Sequence, residues 1–174
     1  MPLELRKRKV VFQRLVEPHM NSLFQVAWRL TGSSDEAEDL VQDLLVRLYP
    51  KTGQMQEVQL LGPWLKKALY RQFLDMQRKK VRRPENFLSA SNPQMDDLEA
   101  EEGDPVLMAQ RAADQRRLRQ ALRALDPESR SLVLMRLVEG YSLVELEEIF
   151  KVPHETVKTR LRRAKAKLKK ILQS

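Results

Sequence analysis

Apolar residues recur every three or four positions along most of this 174-residue chain, the period of helices that bury one face. Phe12, Leu15, Val16, Leu23, Phe24 and Ala27 keep that spacing and predict one buried helical face. Ala37, Leu40, Val41, Leu44, Leu45 and Leu48 form the next stripe. It opens on Ser33 and Glu36, which are spaced as a capping box, with acids in the first turn where the helix dipole favours them. Residues 50–63, "PKTGQMQEVQLLGP", hold two Pro and two Gly and predict a loop. Pro63 suits a first helical turn, and Trp64, Leu65, Ala68, Leu69, Phe73 and Met76 carry a third helix on from it.

The period lapses over residues 84–105, "PENFLSASNPQMDDLEAEEGDP", which hold three Pro, seven acids and no base. Such a stretch predicts an extended or disordered tether. It separates two helical domains, placed at 1–83 and 107–174 with a linker at 84–106. A helix through "RRLRQALRAL" opens the second domain. Asp126 then caps a helix with Pro127 at its first position, which runs to Glu139 and stops at Gly140. Ser142 and Glu145 make a second capping-box pattern before a short helix ending near Phe150. "KVP" turns the chain, and a last helix begins near Pro153 or His154. The fold class is therefore all-α.

Composition supports that class. Aromatics make up 6% of the chain and it has five Gly, a poor supply for a sandwich or barrel. The absence of Cys excludes disulfides, a thiolate zinc site and a Cys nucleophile. His19 and His154 are too few for a histidine-rich metal site. No nucleophile–base pair or phosphate-cradling Gly loop is legible, so neither an enzyme nor a cofactor is expected. Without an apolar signal core at the N-terminus or a run long enough to span a bilayer, the chain reads as soluble and cytoplasmic.

Charge points to partners. The net charge is +8, which suits a polyanion such as nucleic acid, or an anionic membrane surface. Residues 66–83 hold eight bases against Asp75 alone, and residues 152–170 hold eight against Glu155 alone. The second run lies in the last helix. A helix of about eight residues, a three-residue turn and a basic helix together make a helix-turn-helix, whose second helix enters the DNA major groove. Val144, Leu146, Ile149 and Phe150 are expected to bury its first helix, and Val152 to anchor the turn. Val157, Leu161, Ala164 and Leu168 set the inward stripe of its second. Glu155, Thr156, Lys158, Thr159, Arg160, Arg162 and Arg163 then face outward. Thr and Glu suit base edges, and Arg suits guanine or phosphate.

Residues 125–168 resemble the promoter-binding C-terminal domain of the extracytoplasmic-function (ECF) sigma factors. That family's pattern includes "LxxLRxxEGxSxxEIA", a "VP" turn and "TVKSRLxRAR". The matching residues are Arg130, Arg136, Glu139, Gly140, Ser142, Glu145, Val152, Pro153, Thr156, Val157, Lys158, Arg160, Leu161, Arg163, Ala164 and Lys165. In the first domain "AEDLVQD" at 37–43 is similar to the family's "AEDLVQE". Residues 64–78 are similar to its "WLYRIARNLALDxxR" at Trp64, Leu65, Leu74, Asp75 and Arg78. The resemblance covers about residues 10–172. Glu147 and Lys151 depart from the family's "IAEILGV", Glu155 from a common Gly, and Arg71 from the Asn of "ARN". The departures bear on the choice of promoter more than on the role.

The resemblance implies a sigma region 2 helical bundle followed by a sigma region 4 helix-turn-helix. It also implies a factor that binds core RNA polymerase through its clamp and flap regions and directs it to promoter DNA. Glu38, Asp39, Gln42 and Asp43 would meet the clamp. Lys66, Lys67, Tyr70, Arg71, Arg78, Lys79, Lys80, Arg82 and Arg83 would hold the −10 element, with the 50–63 loop capturing bases. Trp64 and Phe73 read as core. Glu155, Thr156 and Thr159 would read −35 base edges, while Lys158, Arg160, Arg162 and Arg163 would mainly hold phosphate, with a base contact the alternative for Arg160. Lys165, Lys167, Lys169 and Lys170 read as a solvated tail. The linker is either a nucleic-acid mimic in the polymerase channel or a spacer. An anti-sigma factor is a further candidate partner; membrane insertion and a small-molecule ligand are not expected. The alternatives are a free-standing helix-turn-helix regulator and a sigma-like interaction adaptor.

Overall fold

The computed structural model describes residues 3–82 and 103–174 and divides them between two compact helical units. Arg83 and most of the acidic tether lie outside the described residues. Among those described, no helix is long and apolar enough to cross a membrane.

The first unit holds α1 (Leu3–Val16), α2 (Met20–Thr31), α3 (Ser34–Leu48), α4 (Thr52–Gln56) and α5 (Leu61–Arg82). Helices α2, α3 and α5 pack mutually, and α1 packs on α4. Gly32 ends α2 in the left-handed region at φ 74°, and Ser33 starts α3 by accepting the Glu36 N–H on its side chain. Most of the predicted stripe positions are buried, while Leu15, Phe24, Leu45, Ala68 and Met76 are only half-buried. Val26, Trp28 and Leu30 are buried beside Leu23 and Ala27, because α2 lies between two neighbours and buries more than one stripe. At the α1 end, Phe12 meets Tyr49 edge-on with ring centroids 5.3 Å apart.

Two expectations are corrected here. The 50–63 segment is mostly helical, since a 3-10 turn at Tyr49–Lys51 leads into α4 and α5 already begins at Leu61. Thr52 and Met55 turn inward and are buried, which turns a Gly-containing stretch into a helical turn held by the core. Trp64 is only partly buried, whereas Phe73 is buried as the spacing predicts.

The second unit holds α6 (Pro105–Arg123), α7 (Pro127–Val133), α8 (Leu143–Phe150) and α9 (His154–Gln173). Asp104 caps α6 by accepting the Val106 N–H, so Pro105 and Val106 belong to a helix rather than to the tether. Leu134–Val138 continues α7 as a wider π turn, which Gly140 closes at φ 76°. Helices α6, α7 and α8 all pack on α9. Buried Arg130 ties the unit together: its Nε donates to the Leu122 carbonyl at 2.8 Å and its Nη2 to the Leu125 carbonyl at 3.1 Å. A guanidinium there adds charged donors to carbonyls at and just past the C-terminal end of α6, where the helix dipole favours positive charge.

Candidate nucleic-acid interface

The second unit contains the expected helix-turn-helix. Both halves of the capping box at the start of α8 are made: the Ser142 hydroxyl accepts the Glu145 N–H, and Glu145 accepts the Ser142 N–H at 2.8 Å. Leu146, Ile149 and Phe150 bury α8. Val144 does not, at 69% exposed. It lies two residues before Leu146, about 200° around the helix, so it points away from the face that Leu146 buries.

Along α9, Val157, Leu161, Ala164 and Leu168 are all buried. On a helix of 3.6 residues per turn, Glu155, Thr159, Arg162 and Arg163 then fall roughly opposite that stripe. Glu155, Lys158, Arg162 and Arg163 are exposed, and Thr156, Thr159 and Arg160 are partly exposed. All seven candidates therefore reach the surface of one helix. They are not equivalent. Glu155 pairs with Lys158 at 3.3 Å, one turn on. Arg160 sits on the flank of α9, where its Nη1 lies 3.2 Å from Glu128 Oε2 on α7. Neither Glu128 nor the pairing of Glu147 with His154 at 2.9 Å is assigned a role by the sequence reading. Glu128 leaves no sequence signal, being 32 positions from its partner. Glu147 stands out only as a departure from the related pattern.

The carboxyl of Asp126 is held below its ordinary pKa. Burial pushes its carboxyl up, but the Ser129 hydroxyl and backbone N–H, its own N–H and the Lys167 charge outweigh that and hold it below the usual value. This is the N-cap of α7, where a carboxylate accepts helix N–H groups in its charged form.

In the first unit Lys67, Arg71, Arg78 and Arg82 recur at i, i+4, i+11 and i+15, which aligns them along one face of α5. Asp75 lies in the same stripe, 3.8 Å from Arg78. Lys79 lies beside the stripe, while Lys66 and Lys80 fall outside it. Tyr70 is a correction: its side chain is 1% exposed and cannot meet a base from that position. It stands three residues before Phe73 and four before Leu74, on a second inward ridge of α5. Gln72, also buried, donates from Nε2 to the Leu40 carbonyl of α3 at 3.2 Å and so joins α5 to α3.

Helix α3 presents Glu38, Asp39, Gln42 and Asp43 on its exposed side, opposite buried Ala37, Leu40, Val41 and Leu44. Val46, which the sequence reading omits, continues that side and is 74% exposed.

Residues 15–83 match the family described as Sigma-70 region 2, and residues 115–168 match Sigma-70, region 4. The chain belongs to the sigma-70 family, in its ECF group. This sigma factor is 30% identical to the ECF RNA polymerase sigma factor SigE of Mycolicibacterium smegmatis, over 92% of its own length and 61% of that protein's. To SigW of Bacillus subtilis it is 26% identical, over 93% and 89% of the two chains. Among solved structures it is similar to the sigma factor RpoE from Bartonella quintana, determined with the anti-sigma factor NepR. That likeness has a TM-score of 0.66 and 24% identity, and covers 93% and 96% of the two chains, which establishes the fold. Membership of this family makes the chain a transcription initiation factor.

Proposed function

We propose that this sigma factor binds core RNA polymerase and directs it to a discrete set of promoters. In this reading residues 1–83 dock on the polymerase and hold the melted −10 element, the stretch from 84 to the α6 cap at Asp104 forms the linker, and 105–174 read the −35 element and meet the flap. The carrying observation is α9, whose buried stripe leaves Thr, Glu and Arg on the opposite face of a helix-turn-helix. Such a face places side chains at base edges and cations beside phosphate.

Each surface takes a separate part. Glu38, Asp39, Gln42 and Asp43 meet the polymerase clamp, with Val46 adding an apolar contact at the end of that side. Lys67, Arg71, Arg78 and Arg82 form the backbone track for the −10 strand, with Lys79 beside it; Lys66 and Lys80 lie off that track. Opening a duplex costs unstacking energy, which cationic backbone contacts offset. Thr156, Thr159 and Glu155 read bases, while Arg160, Arg162, Arg163 and Lys158 hold phosphate.

The factor works in a bacterial cytoplasm and without catalysis of its own. An anti-sigma factor is a further partner, a reading supported by the RpoE structure with NepR. The test is run-off transcription on genomic fragments with purified protein and core polymerase. Discrete starts beyond those of core alone are expected; their absence ends this reading.

A further inference from the structure

The turn between α8 and α9 contains only Lys151, Val152 and Pro153. Lys151 takes up a left-handed conformation, at φ 53° and ψ 45°, that side-chain-bearing residues rarely adopt. It is the one non-glycine residue with positive φ among the described residues. The related sequence pattern has Gly at this place and Ala at the place of Glu147. A turn that loses its Gly is strained, and Pro153, at the N-cap of α9, offers no side-chain cap. What spans the turn is the other departure. With its proton on Nδ1, His154 donates to Glu147 Oε2 at 2.9 Å, which joins the last turn of α8 to the first residue of α9. The two side chains are 40% and 30% exposed, so the contact is partly shielded from water.

We propose that Glu147 and His154 form a clasp that sets the entry angle of α9, and that both are positioning residues for −35 base selection. The inference rests on the reading of α9 as the −35 helix. Thr156 and Thr159 stand two and five residues beyond His154, so a small rotation of the first turn of α9 moves both relative to base edges. A base-edge hydrogen bond weakens steeply with distance and angle. The clasp therefore acts on discrimination between promoters, whereas backbone contacts made further along α9 are little changed.

The experiment uses the full chain bound to core polymerase and a promoter library randomised across the −35 element. Wild-type holoenzyme defines the preferred sequence. Glu147→Ala and His154→Ala should each reduce discrimination at the −35 positions by about five-fold, and the double variant should do no worse than either single one. Glu147→Gln should recover most of the discrimination, because its amide oxygen still accepts the Nδ1–H. The unfolding temperature of each variant is measured alongside, which separates lost folding from lost alignment. Unchanged discrimination in either alanine variant, additive losses in the double variant, or no recovery by Glu147→Gln in a folded protein would overturn the clasp. Failure of wild-type holoenzyme to select any −35 sequence would instead count against the −35 reading itself.

Discussion

Arg160 of α9 is held by Glu128 of α7, with 3.2 Å between Nη1 and Oε2 and with both side chains about 40% exposed. A half-exposed pair of this kind contributes about 0–1 kcal/mol to folding. If Arg160 holds phosphate as proposed, the pair's larger effect is on DNA, since Glu128 places a negative charge beside that cation. Glu128→Gln should leave the unfolding midpoint nearly unchanged and raise affinity for non-specific duplex about two- to three-fold at low salt. Arg160→Ala should lower affinity and reduce the slope of log affinity against log salt by about one. Fluorescence anisotropy across a salt series measures both; a Glu128→Gln protein that binds DNA more weakly contradicts the assignment.

Arg130 belongs to the sequence pattern of the DNA-binding domain, yet its side chain is buried against the carbonyls of Leu122 and Leu125. Its task is structural. Arg130→Met should destabilise the second unit by about 2–4 kcal/mol, because the carbonyls lose charged donors in a buried setting. Arg130→Lys should recover only part, as one ammonium cannot reproduce the guanidinium fork. Urea unfolding followed by circular dichroism tests this.

Asp126 gives the second unit an acid sensitivity of known sign. Its folded pKa lies below the unfolded value of about 3.9, so its contribution is fully present above about pH 4 and is lost as pH falls through the folded pKa. Asp126→Ala should cost about 1 kcal/mol at pH 7 through loss of the α7 cap. The difference between variant and wild type should shrink below about pH 4, where the wild-type carboxyl also protonates. Thermal melts at pH 7 and pH 3 distinguish this from a pH-independent loss.

On α3, Asp39 and Val46 share the exposed side and take no part in the core. Asp39→Ala and Val46→Ser should each change folding stability by less than about 0.5 kcal/mol. Each should weaken association with core polymerase by about three- to tenfold, the effect of about 1 kcal/mol at an interface. Binding of the full chain to a −35 duplex should be unaffected. Surface-immobilised core polymerase provides the first measurement and anisotropy the second.

Most elements of this protein are written in its local sequence, the helical turn at Thr52–Gln56 excepted. The spacing of Val157, Leu161, Ala164 and Leu168 determines which face of α9 is buried, and Ser142, Glu145, Asp126 and Gly140 mark helix ends within a few residues of where they act. These features depend on backbone periodicity and on hydrogen bonds within one turn, so a short window of chain contains all the information they need. The exposed acids of α3 and the stripe of Lys67, Arg71, Arg78 and Arg82 follow from the same rule. Tertiary structure decided what depends on a neighbour. Tyr70 is buried because α5 presents two ridges to the bundle, and Val144 is exposed because Leu146, Ile149 and Phe150 already fill the inner face of α8. Gln72 finds the Leu40 carbonyl and Arg160 finds Glu128, each across 32 residues of chain. No local pattern encodes such pairs, because they form only when packing brings two helices together.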